Sequence, residues 1–537
     1  MSLDAARTSL ESVDTVARAM SAGLARVVEK DGRLSRSRLD AVQPEAFELA
    51  RTLGEVTAAR ALLDFVTPGT RDAQLAKVYV AEVVRRVTDR VRYGGAWGDI
   101  DTSGLDAAAA FVAAVHSTDA LAALGRQLVE GDGEATGDRG FGDDHAAMRE
   151  TFARFGQEQI APLAESIHRE DRILPEALLS SLADLGVFGI SIPEDYGGFF
   201  VDNLTMCIAT EELSRASLGA GGSVITRPEI AAKALLKGGT EAQKQEWLPK
   251  IAAGETLVSI AVTEPNAGSD VARLRVTAKP VEGGWRIDGE KTWCTFAGRA
   301  DVFALLARTG TTDEGAKGLT LFLVEKPATI SETDHHSFHH EQPGGGTIEG
   351  HAIPTIGYRG MHSFTVTFDG WFVPDSHRVG ALGQGFALQM EGFAGGRIQT
   401  AARAVGVMET AFDAAVAYAR ERTVFGTPLS DYSINAAKLA RMAATIFAAR
   451  RLTYDVAAML DEGRGHMEAS LVKLTSCRDA EWVTREAMQL HGGMGYSEEY
   501  PVSRYWQDAR VLSIFEGAEE ILAIYVVARQ HLRGLIG

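Results

Sequence analysis

Apolar residues recur at helical spacing in the first part of the chain, change to short β-rich runs in the middle and return to helical spacing towards the end. Segments such as VARAMSAGLARVV and AKVYVAEVVRRVTDRV, between residue 4 and about residue 128, predict amphipathic helices. A stretch rich in Gly and Asp, residues 130–144, sustains neither periodicity and indicates a linker. The helical pattern resumes from about residue 145, and SIPEDYGG (191–198) predicts a turn within it.

The period changes between residues 257 and about 379, where LVSIAVTE, LTLFLVE and SFTVTFDGWFVP are separated by Gly- and Pro-bearing turns. Such runs predict strands. Long helical stretches follow residue 385. We therefore predict a mostly α protein with a central β domain. Its segments are a helical N-terminal extension (1–130), a linker (131–144), a helical N-domain (145–256), a β domain (257–380) with a polar insertion (330–364), and a helical C-domain (381–537).

Composition narrows the class of protein. The 537 residues are 45% hydrophobic and 23% charged, which is typical of a folded protein of several domains. A net charge of −18 opposes binding to nucleic acid. The N-terminus lacks an apolar signal region and no long uncharged apolar run is present, so we expect a cytoplasmic protein without a membrane partner. Three scattered cysteines, Cys207, Cys294 and Cys477, indicate buried apolar positions rather than disulfides or a metal site.

Two motifs of the β region carry candidate chemistry. In AVTEPNAGSD (261–270) a strand runs into a turn of small residues, which lets backbone N–H groups approach a ligand, while Thr263 and Ser269 add hydroxyl donors. In KTWCT (291–295), Trp293 and Thr295 offer an indole wall and a hydroxyl donor. An ordinary turn and a tryptophan in the sheet core are the alternatives.

Two motifs of the C-terminal region add charge and close backbone approach. In AVAYARERTVFGTPLSDYS (415–433) a helix ends in Arg420 and Arg422, whose guanidinium groups suit a diphosphate or simply a helix C-terminus. The motif QLHGGMGYSEEYPVSRYWQDARVLSIFEGAEEI (489–521) combines paired glycines with one carboxylate, Glu516, placed before a glycine. Paired glycines permit close approach to a phosphate.

From about residue 141 onward, this order of regions and these four motifs resemble the acyl-CoA dehydrogenase family. The resemblance implies FAD as cofactor, an acyl-CoA as substrate and Glu516 as the base that removes the α-proton, with its backbone N–H helping to polarise the thioester carbonyl. It further implies a set of cofactor contacts, at Ala261, Val262, Thr263, Gly268, Ser269, Trp293, Thr295, Arg422, Phe425, Gln489, Gly492, Gly493, Ala518 and Glu520. The substrate contacts would be Ser269, Gly517, Arg227 and Arg397.

Several details depend on this resemblance. Some members carry the base before an arginine on the first long C-domain helix, where this chain has Gly396 and Arg397, so no carboxylate competes with Glu516. Arg397 would be a cation on the substrate side or a partner in a surface ion pair. Arg422 and Phe425 imply contact with a neighbouring subunit's FAD, hence a homo-oligomer, dimer or tetramer. The chain departs from the family at Ser433, usually Gln, and at Ala518, usually Thr.

The extension and the polar insertion resemble family members that oxidise a branched dicarboxylic acyl-CoA. A second carboxylate needs a buried cation to offset its desolvation. Arg227 is the candidate, against the alternative of an exposed arginine before a proline. The insertion holds His335, His336, His339, His340 and His351, which we interpret as a solvated or loop-packing cluster without a metal.

Rival functions stay open at this point. They are a dehydrogenase for glutaryl-CoA, isovaleryl-CoA or another short acyl-CoA, an oxidase that passes electrons to O₂, and a non-dehydrogenating binding protein of the same fold. The expected electron acceptor is electron-transferring flavoprotein, since the chain resembles dehydrogenases more closely than oxidases in length.

Overall fold

The structure is a computed structural model that describes residues 1–92, 94–131, 136–328 and 336–537. His335 therefore lies outside the described residues. The chain divides into two compact units, one formed by residues 1–146 with 400–537 and one by residues 147–399.

The first unit begins with a set of helices that bury one apolar face. Their bounds are α1 (Leu3–Val28), α2 (Arg36–Asp40), α3 (Gln43–Phe65), α4 (Arg71–Arg92), α5 (Ser103–Val115) and α6 (Thr118–Glu130), with a two-residue hairpin of β1 (Glu29–Lys30) and β2 (Arg33–Leu34) after α1. The Ser2 hydroxyl caps α1 by accepting from the Ala5 amide at 3.2 Å, which satisfies a donor at the helix start.

The rest of this unit is the C-terminal part of the chain. From residue 400 onward it contains most of one long helix, five shorter helices beyond it, and a small hairpin. Helix α7 (Asp143–Phe155) and five helices of the other unit precede them in the chain. We number the later helices α13 (Gly385–Glu421), α14 (Ser433–Asp461), α15 (His466–Leu490), α16 (Val502–Leu512), α17 (Glu519–Ile521) and α18 (Arg529–Ile536), and the hairpin strands β12 (Thr423–Val424) and β13 (Thr427–Pro428).

Helix α14 packs against α3, α4 and α6, so the N-terminal extension and the C-terminal helices share one core. A Cβ atom on Gly125 of α6 would lie 1.8 Å from the Ala436 carbonyl oxygen of α14, which shows how closely these two helices approach. The Glu409 carboxylate accepts from the Thr136 hydroxyl at 2.8 Å and from Arg450 Nη2 at 2.6 Å. All three side chains are buried. The five-segment division predicted from sequence stays a prediction.

The second unit starts with helices around an apolar cluster. They are α8 (Ala161–Arg169), α9 (Glu176–Asp184), α10 (Asn203–Ala216), α11 (Thr226–Gly238) and α12 (Glu241–Ala252). Helix α12 starts with a capping box, in which Thr240 and Gln243 each bond the other's backbone amide, an arrangement that fixes a helix start.

A nine-stranded mixed sheet forms the rest of this unit. Its strands are β3 (Val258–Ala261), β4 (Thr277–Val281), β5 (Gly284–Thr295), β6 (Val302–Arg308), β7 (Leu319–Glu325), β8 (Ser337–Glu341), β9 (Thr347–Ala352), β10 (Ser363–Pro374) and β11 (Arg378–Val379). The order across the sheet is β11-β7-β6-β4-β5-β10-β9-β8, and β3 pairs with β6 in parallel. Strands β6 and β7 are buried almost throughout, as their continuous apolar runs predict. The predicted fold class, mostly α with a central β domain, is confirmed.

The polar insertion extends this sheet. Strands β8 and β9 form an antiparallel hairpin, and β9 pairs with β10. Phe338 and Ile348 are buried beneath it, while His339 stays exposed. The insertion therefore forms two strands that each bury one large apolar side chain.

Among the described residues no single helix is long and apolar enough to cross a membrane, although α5 and α6 together, bent by 51° between them, satisfy length and composition.

Candidate active site

Glu516 lies in the turn between α16 and α17 of the first unit. Its backbone has φ of +53°, and Gly517 follows with φ of +103°. A positive φ is uncommon for a residue other than glycine and is held in place only when its surroundings determine it. The side chain is 18% exposed. The turn therefore carries a partly exposed carboxylate, and contacts with neighbouring helices fix the position of that carboxylate.

Two side chains of α13 hold the Glu516 carboxylate. Thr400 donates its hydroxyl to Oε2 at 2.9 Å, and Arg403 Nη1 donates to Oε1 at 3.1 Å. Arg403 has no exposed surface, and its guanidinium also lies 5.4 Å from the centre of the Phe515 ring. Each carboxylate oxygen therefore has a donor that fixes its direction, and charge-assisted bonds of this kind are the stronger ones.

The backbone on both sides of Glu516 is held by Lys473 of α15. Its Nζ donates to the carbonyl oxygen of Phe515 at 2.7 Å and to that of Gly517 at 2.5 Å. The lysine is 1% exposed.

The glycine-rich segment and the hairpin of the same unit offer open surfaces. Gly492 has φ of +57°, and a Cβ atom on Gly492 or Gly493 would meet nothing within 4 Å. Phe425, at the tip of the β12–β13 hairpin, is 96% exposed with φ of +50°. The neighbouring Arg422 is exposed as well. Exposed glycine backbone, an exposed aromatic ring and an exposed guanidinium suit a large cofactor that carries phosphate.

The remaining predicted cofactor residues of this unit lie at its surface or partly buried. Gln489 and Glu520 are exposed, and Ala518 is half-buried beside the Glu516 turn. Ser433, the departure from the family pattern noted in the sequence, begins α14. Contacts of these residues with a cofactor stay predictions.

In the second unit, the turn after β3 is held by a buried ion pair. Lys291 Nζ donates to Glu264 Oε1 at 2.8 Å and to the Val262 carbonyl oxygen at 2.8 Å. The Glu264 carboxylate also accepts from the backbone amides of Arg275 at 2.7 Å and Val276 at 2.9 Å. Burial lowers the pKa of Lys291 to about 8, against the attraction of Glu264. Gly268 and Ser269, at the far side of the turn, are exposed.

The strand beside this turn presents Trp293. Its backbone has φ of +58°, and its side chain is 55% exposed although it belongs to a 12-residue strand. The Thr292 amide donates to the Thr263 carbonyl oxygen at 2.9 Å, which ties the strand to the turn. The hydroxyls of Thr295 and Ser363 lie 3.0 Å apart. An exposed indole next to an exposed turn of small residues fits the flat ring system of a flavin, and the alternative of a core tryptophan is wrong.

Arg227 is buried rather than exposed. It is 6% exposed, and its guanidinium donates to the Ser223 carbonyl oxygen at 3.0 Å and to the Tyr358 hydroxyl at 3.3 Å. With Phe188, Phe296 and other apolar groups it lines a cavity of about 10 Å³. Arg397 is half-buried and the preceding Gly396 is buried.

The insertion brings three possible metal ligands together. His336 and His362 approach the Asp171 carboxylate at 3.3 and 3.2 Å, and the ligand atoms all lie within 4.8 Å of one another. Arg359 Nε lies 3.2 Å from the same Asp171 oxygen that His362 approaches. The Arg359 guanidinium therefore supplies a positive charge beside this carboxylate. The predicted absence of a metal stays a prediction.

The first unit holds a presented carboxylate and open glycine-rich backbone, and the second holds an exposed tryptophan beside a hydroxyl-bearing turn. The class of protein follows from comparison of the whole chain with known families. Family models for the N-terminal, middle and C-terminal domains of acyl-CoA dehydrogenase match residues 142–255, 259–370 and 383–531. The chain belongs to the acyl-CoA dehydrogenase family, whose members are FAD-dependent oxidoreductases acting on CH–CH bonds. The predicted family and cofactor are thereby confirmed.

Individual relatives differ in the acyl group that their names give. The (2S)-methylsuccinyl-CoA dehydrogenase of Cereibacter sphaeroides is 43% identical over 416 residues, which are 77% of this chain and 74% of that protein. A mitochondrial isovaleryl-CoA dehydrogenase of Solanum tuberosum is 34% identical over 383 residues, 71% of this chain and 89% of that protein. Among solved structures, a glutaryl-coenzyme A dehydrogenase in complex with glutaryl-CoA has a TM-score of 0.67 at 30% identity, covering 73% of this chain and 96% of its own.

Sequence reasoning missed the residues that hold these motifs in place. They are Thr400, Arg403 and Lys473 around Glu516, and Glu264 and Lys291 beneath the turn after β3. A signal existed for two of them: Arg403 in AARAVGVM and Lys473 in ASLVKLTSC are single charges within apolar helical runs. A charge in such a place requires a buried partner.

Proposed function

We propose that this chain catalyses the α,β-dehydrogenation of a short branched acyl-CoA, with (2S)-methylsuccinyl-CoA to mesaconyl-CoA, a step of the ethylmalonyl-CoA pathway, as the first candidate. The observation that carries the proposal is Glu516, a carboxylate presented on a strained turn with each oxygen directed by a donor. Gly396 leaves no carboxylate at the other position where the family places a base.

The α-hydrogen of a thioester is weakly acidic, so its removal requires a base at a fixed distance and direction. Glu516 accepts this proton, while its own backbone N–H polarises the thioester carbonyl. When bound, FAD supplies the acceptor for the hydride of the β-carbon. Two electrons and one proton leave with that hydride and one proton leaves to Glu516, which balances the formation of one double bond. The turn after β3 and Trp293 bind and orient the cofactor, with Thr263, Ser269 and Thr295 as hydroxyl donors.

The choice of a dicarboxylic substrate is supported by Arg227 and by the similarity to a methylsuccinyl-CoA enzyme. A buried guanidinium among apolar groups is the kind of cation that a buried carboxylate of an acyl group requires. We assign the second carboxylate of the substrate to Arg227. Arg397 is assigned to the substrate side as a further cation.

We further propose that electron-transferring flavoprotein reoxidises the enzyme and that the protein is a homo-oligomer. Arg422 and the exposed Phe425 support the second point, because a fully exposed aromatic ring beside a cation is typical of a contact surface.

The test is anaerobic titration of the FAD-loaded protein with methylsuccinyl-CoA, glutaryl-CoA and isovaleryl-CoA, following the loss of flavin absorbance. Methylsuccinyl-CoA should bleach the flavin fastest. Glu516→Gln should keep FAD and abolish bleaching, whereas Glu519→Gln, which removes a nearby carboxylate paired with Arg478 at 2.9 Å, should bleach normally. Bleaching by Glu516→Gln at the normal rate would refute the base. Stoichiometric peroxide under air would instead identify an oxidase.

A further inference from the structure

Lys473 is a lysine of α15 that is buried, with 1% of its surface exposed. Its ammonium donates to two backbone carbonyl oxygens, those of Phe515 and Gly517, at 2.7 and 2.5 Å. Burying an ammonium is costly unless hydrogen bonds replace its water. The lysine is placed on helix α15, where its ammonium can bind both carbonyl oxygens at once. An apolar residue at this position could not do so.

One carbonyl group belongs to the residue before Glu516 and the other to the residue after it. One Nζ atom therefore fixes the chain just before and just after the residue whose φ is +53°. Relaxation of that turn to an ordinary negative φ would rotate at least one of these carbonyl groups away from the ammonium. The bonds to Lys473 thus favour the strained conformation over its relaxed alternative.

Glu516 is held at two separate places. Thr400 and Arg403 hold the carboxylate, whereas Lys473 holds the backbone from which that side chain projects. We propose that Lys473 is a positioning residue for the base: through the carbonyl oxygens of Phe515 and Gly517 it sets where the Glu516 side chain starts and in which direction it points. This inference rests on the proposed function, in which Glu516 removes the α-proton.

The geometry requires a compact cation. Lysine offers three donors on one atom, so two carbonyl groups can converge on it. Methionine keeps the shape of the stem without a donor. Arginine keeps the charge, but its planar and larger head displaces one or both carbonyl groups. Misplacement of a reacting group by about 1 Å costs on the order of a hundredfold in rate.

The experiment compares Lys473→Met and Lys473→Arg with the wild-type holoenzyme. We expect Lys473→Met to lower the rate of flavin reduction per bound FAD by about a hundredfold, with KM changed by less than about threefold since the base acts in the transition state. The rate of flavin reduction in Lys473→Arg should lie between those of Lys473→Met and wild type, roughly tenfold below wild type. Exchange of the substrate α-hydrogen in D₂O, followed by mass spectrometry, should fall in the same order, because this exchange requires removal of the α-proton but no hydride transfer to FAD.

Thr484→Val is the matched control. Thr484 is buried on the same helix, and within the described residues its hydroxyl donates to the Ala480 and Glu481 carbonyl oxygens of that helix. A general loss of stability would lower the FAD content and the melting temperature of this variant and of Lys473→Met alike, while leaving the rate per bound FAD unchanged. A normal exchange rate per bound FAD in Lys473→Met overturns the proposal.

If Lys473→Met does not fold, Lys473→Arg decides, since wild-type reduction and exchange rates in that variant would also overturn the proposal. Glu516→Gln is measured in parallel. Loss of exchange in Glu516→Gln with normal exchange in the Lys473 variants refutes the positioning role alone, whereas normal exchange in Glu516→Gln refutes the proposed base itself.

Discussion

Removal of the Lys291 ammonium tests whether the buried ion pair holds the turn after β3. In Lys291→Met the Glu264 carboxylate keeps two backbone amide donors but loses its counter-charge, and the Val262 carbonyl oxygen loses its donor. Lys291 has no exposed surface and Glu264 is 7% exposed, so solvent does not compensate. Breaking one side of a buried pair typically costs about 3–5 kcal/mol. We expect a loss of this size in the free energy of unfolding and faster release of FAD.

The assay is urea unfolding of the FAD-loaded protein, with free flavin measured by fluorescence. The double variant Lys291→Met with Glu264→Gln should be more stable than Lys291→Met alone, because it leaves no uncompensated charge. Lys279→Met is the control: that lysine is 69% exposed and lies 3.7 Å from Asp288, and an exposed pair contributes less than about 1 kcal/mol. The reasoning is refuted if Lys291→Met costs no more than Lys279→Met.

Three further predictions concern the substrate, the pH dependence of stability and the packing of the extension. Arg227→Ala should raise KM for methylsuccinyl-CoA by at least about thirtyfold, as loss of one partner of a buried charge pair does, and spare isovaleryl-CoA in the same assay; equal effects on both contradict the assignment. Burial raises the pKa of Asp479 to about 6 from 3.8, so its contribution to stability is complete below pH 3.8 and is lost as pH rises through 6. Asp479→Asn should therefore increase the free energy of unfolding at pH 7 by up to about 3 kcal/mol, and unchanged urea midpoints would contradict this. Gly125→Ala should cost about 1–3 kcal/mol, since its Cβ meets the Ala436 carbonyl at 1.8 Å; Gly534→Ala, which meets nothing within 4 Å, should be neutral in the same thermal unfolding.

Periodicity predicted the larger elements because the apolar residues of each element, read along the chain, are the ones that it buries. The run LTLFLVE became the buried strand β7, and INAAKLARMAATIFAARRLTYDVAAMLDEG became α14. The polar insertion was harder to interpret. Each of its strands holds only one large apolar residue that is buried, Phe338 in β8 and Ile348 in β9, among histidine, glutamate and glycine, so the hydrophobic signal for a strand is weak there.

The candidate base could be found in the sequence, but its surroundings could not. Glu516 stands in a motif that is continuous along the chain. Arg403, which binds its carboxylate, is 113 residues away in sequence. Lys473 is 42 and 44 residues from Phe515 and Gly517, the neighbours of Glu516 that it binds. Only packing of α13 and α15 brings them to the turn. The positive φ of Trp293 likewise coincides with an irregularity in the β5–β10 pairing, which steps from Lys291–Val366 to Cys294–Phe364, and no preference of tryptophan predicts it.

The buried cysteines have a consequence for an enzyme with the proposed product. An α,β-unsaturated thioester is an electrophile that adds to thiolates, and the thiolate is the reactive form of cysteine. Burial raises the pKa of both Cys294, next to Trp293, and Cys477, one helical turn beyond Lys473, to about 12. Both thiols therefore favour the protonated form at neutral pH, which disfavours their addition to the unsaturated thioester that the proposed reaction would form.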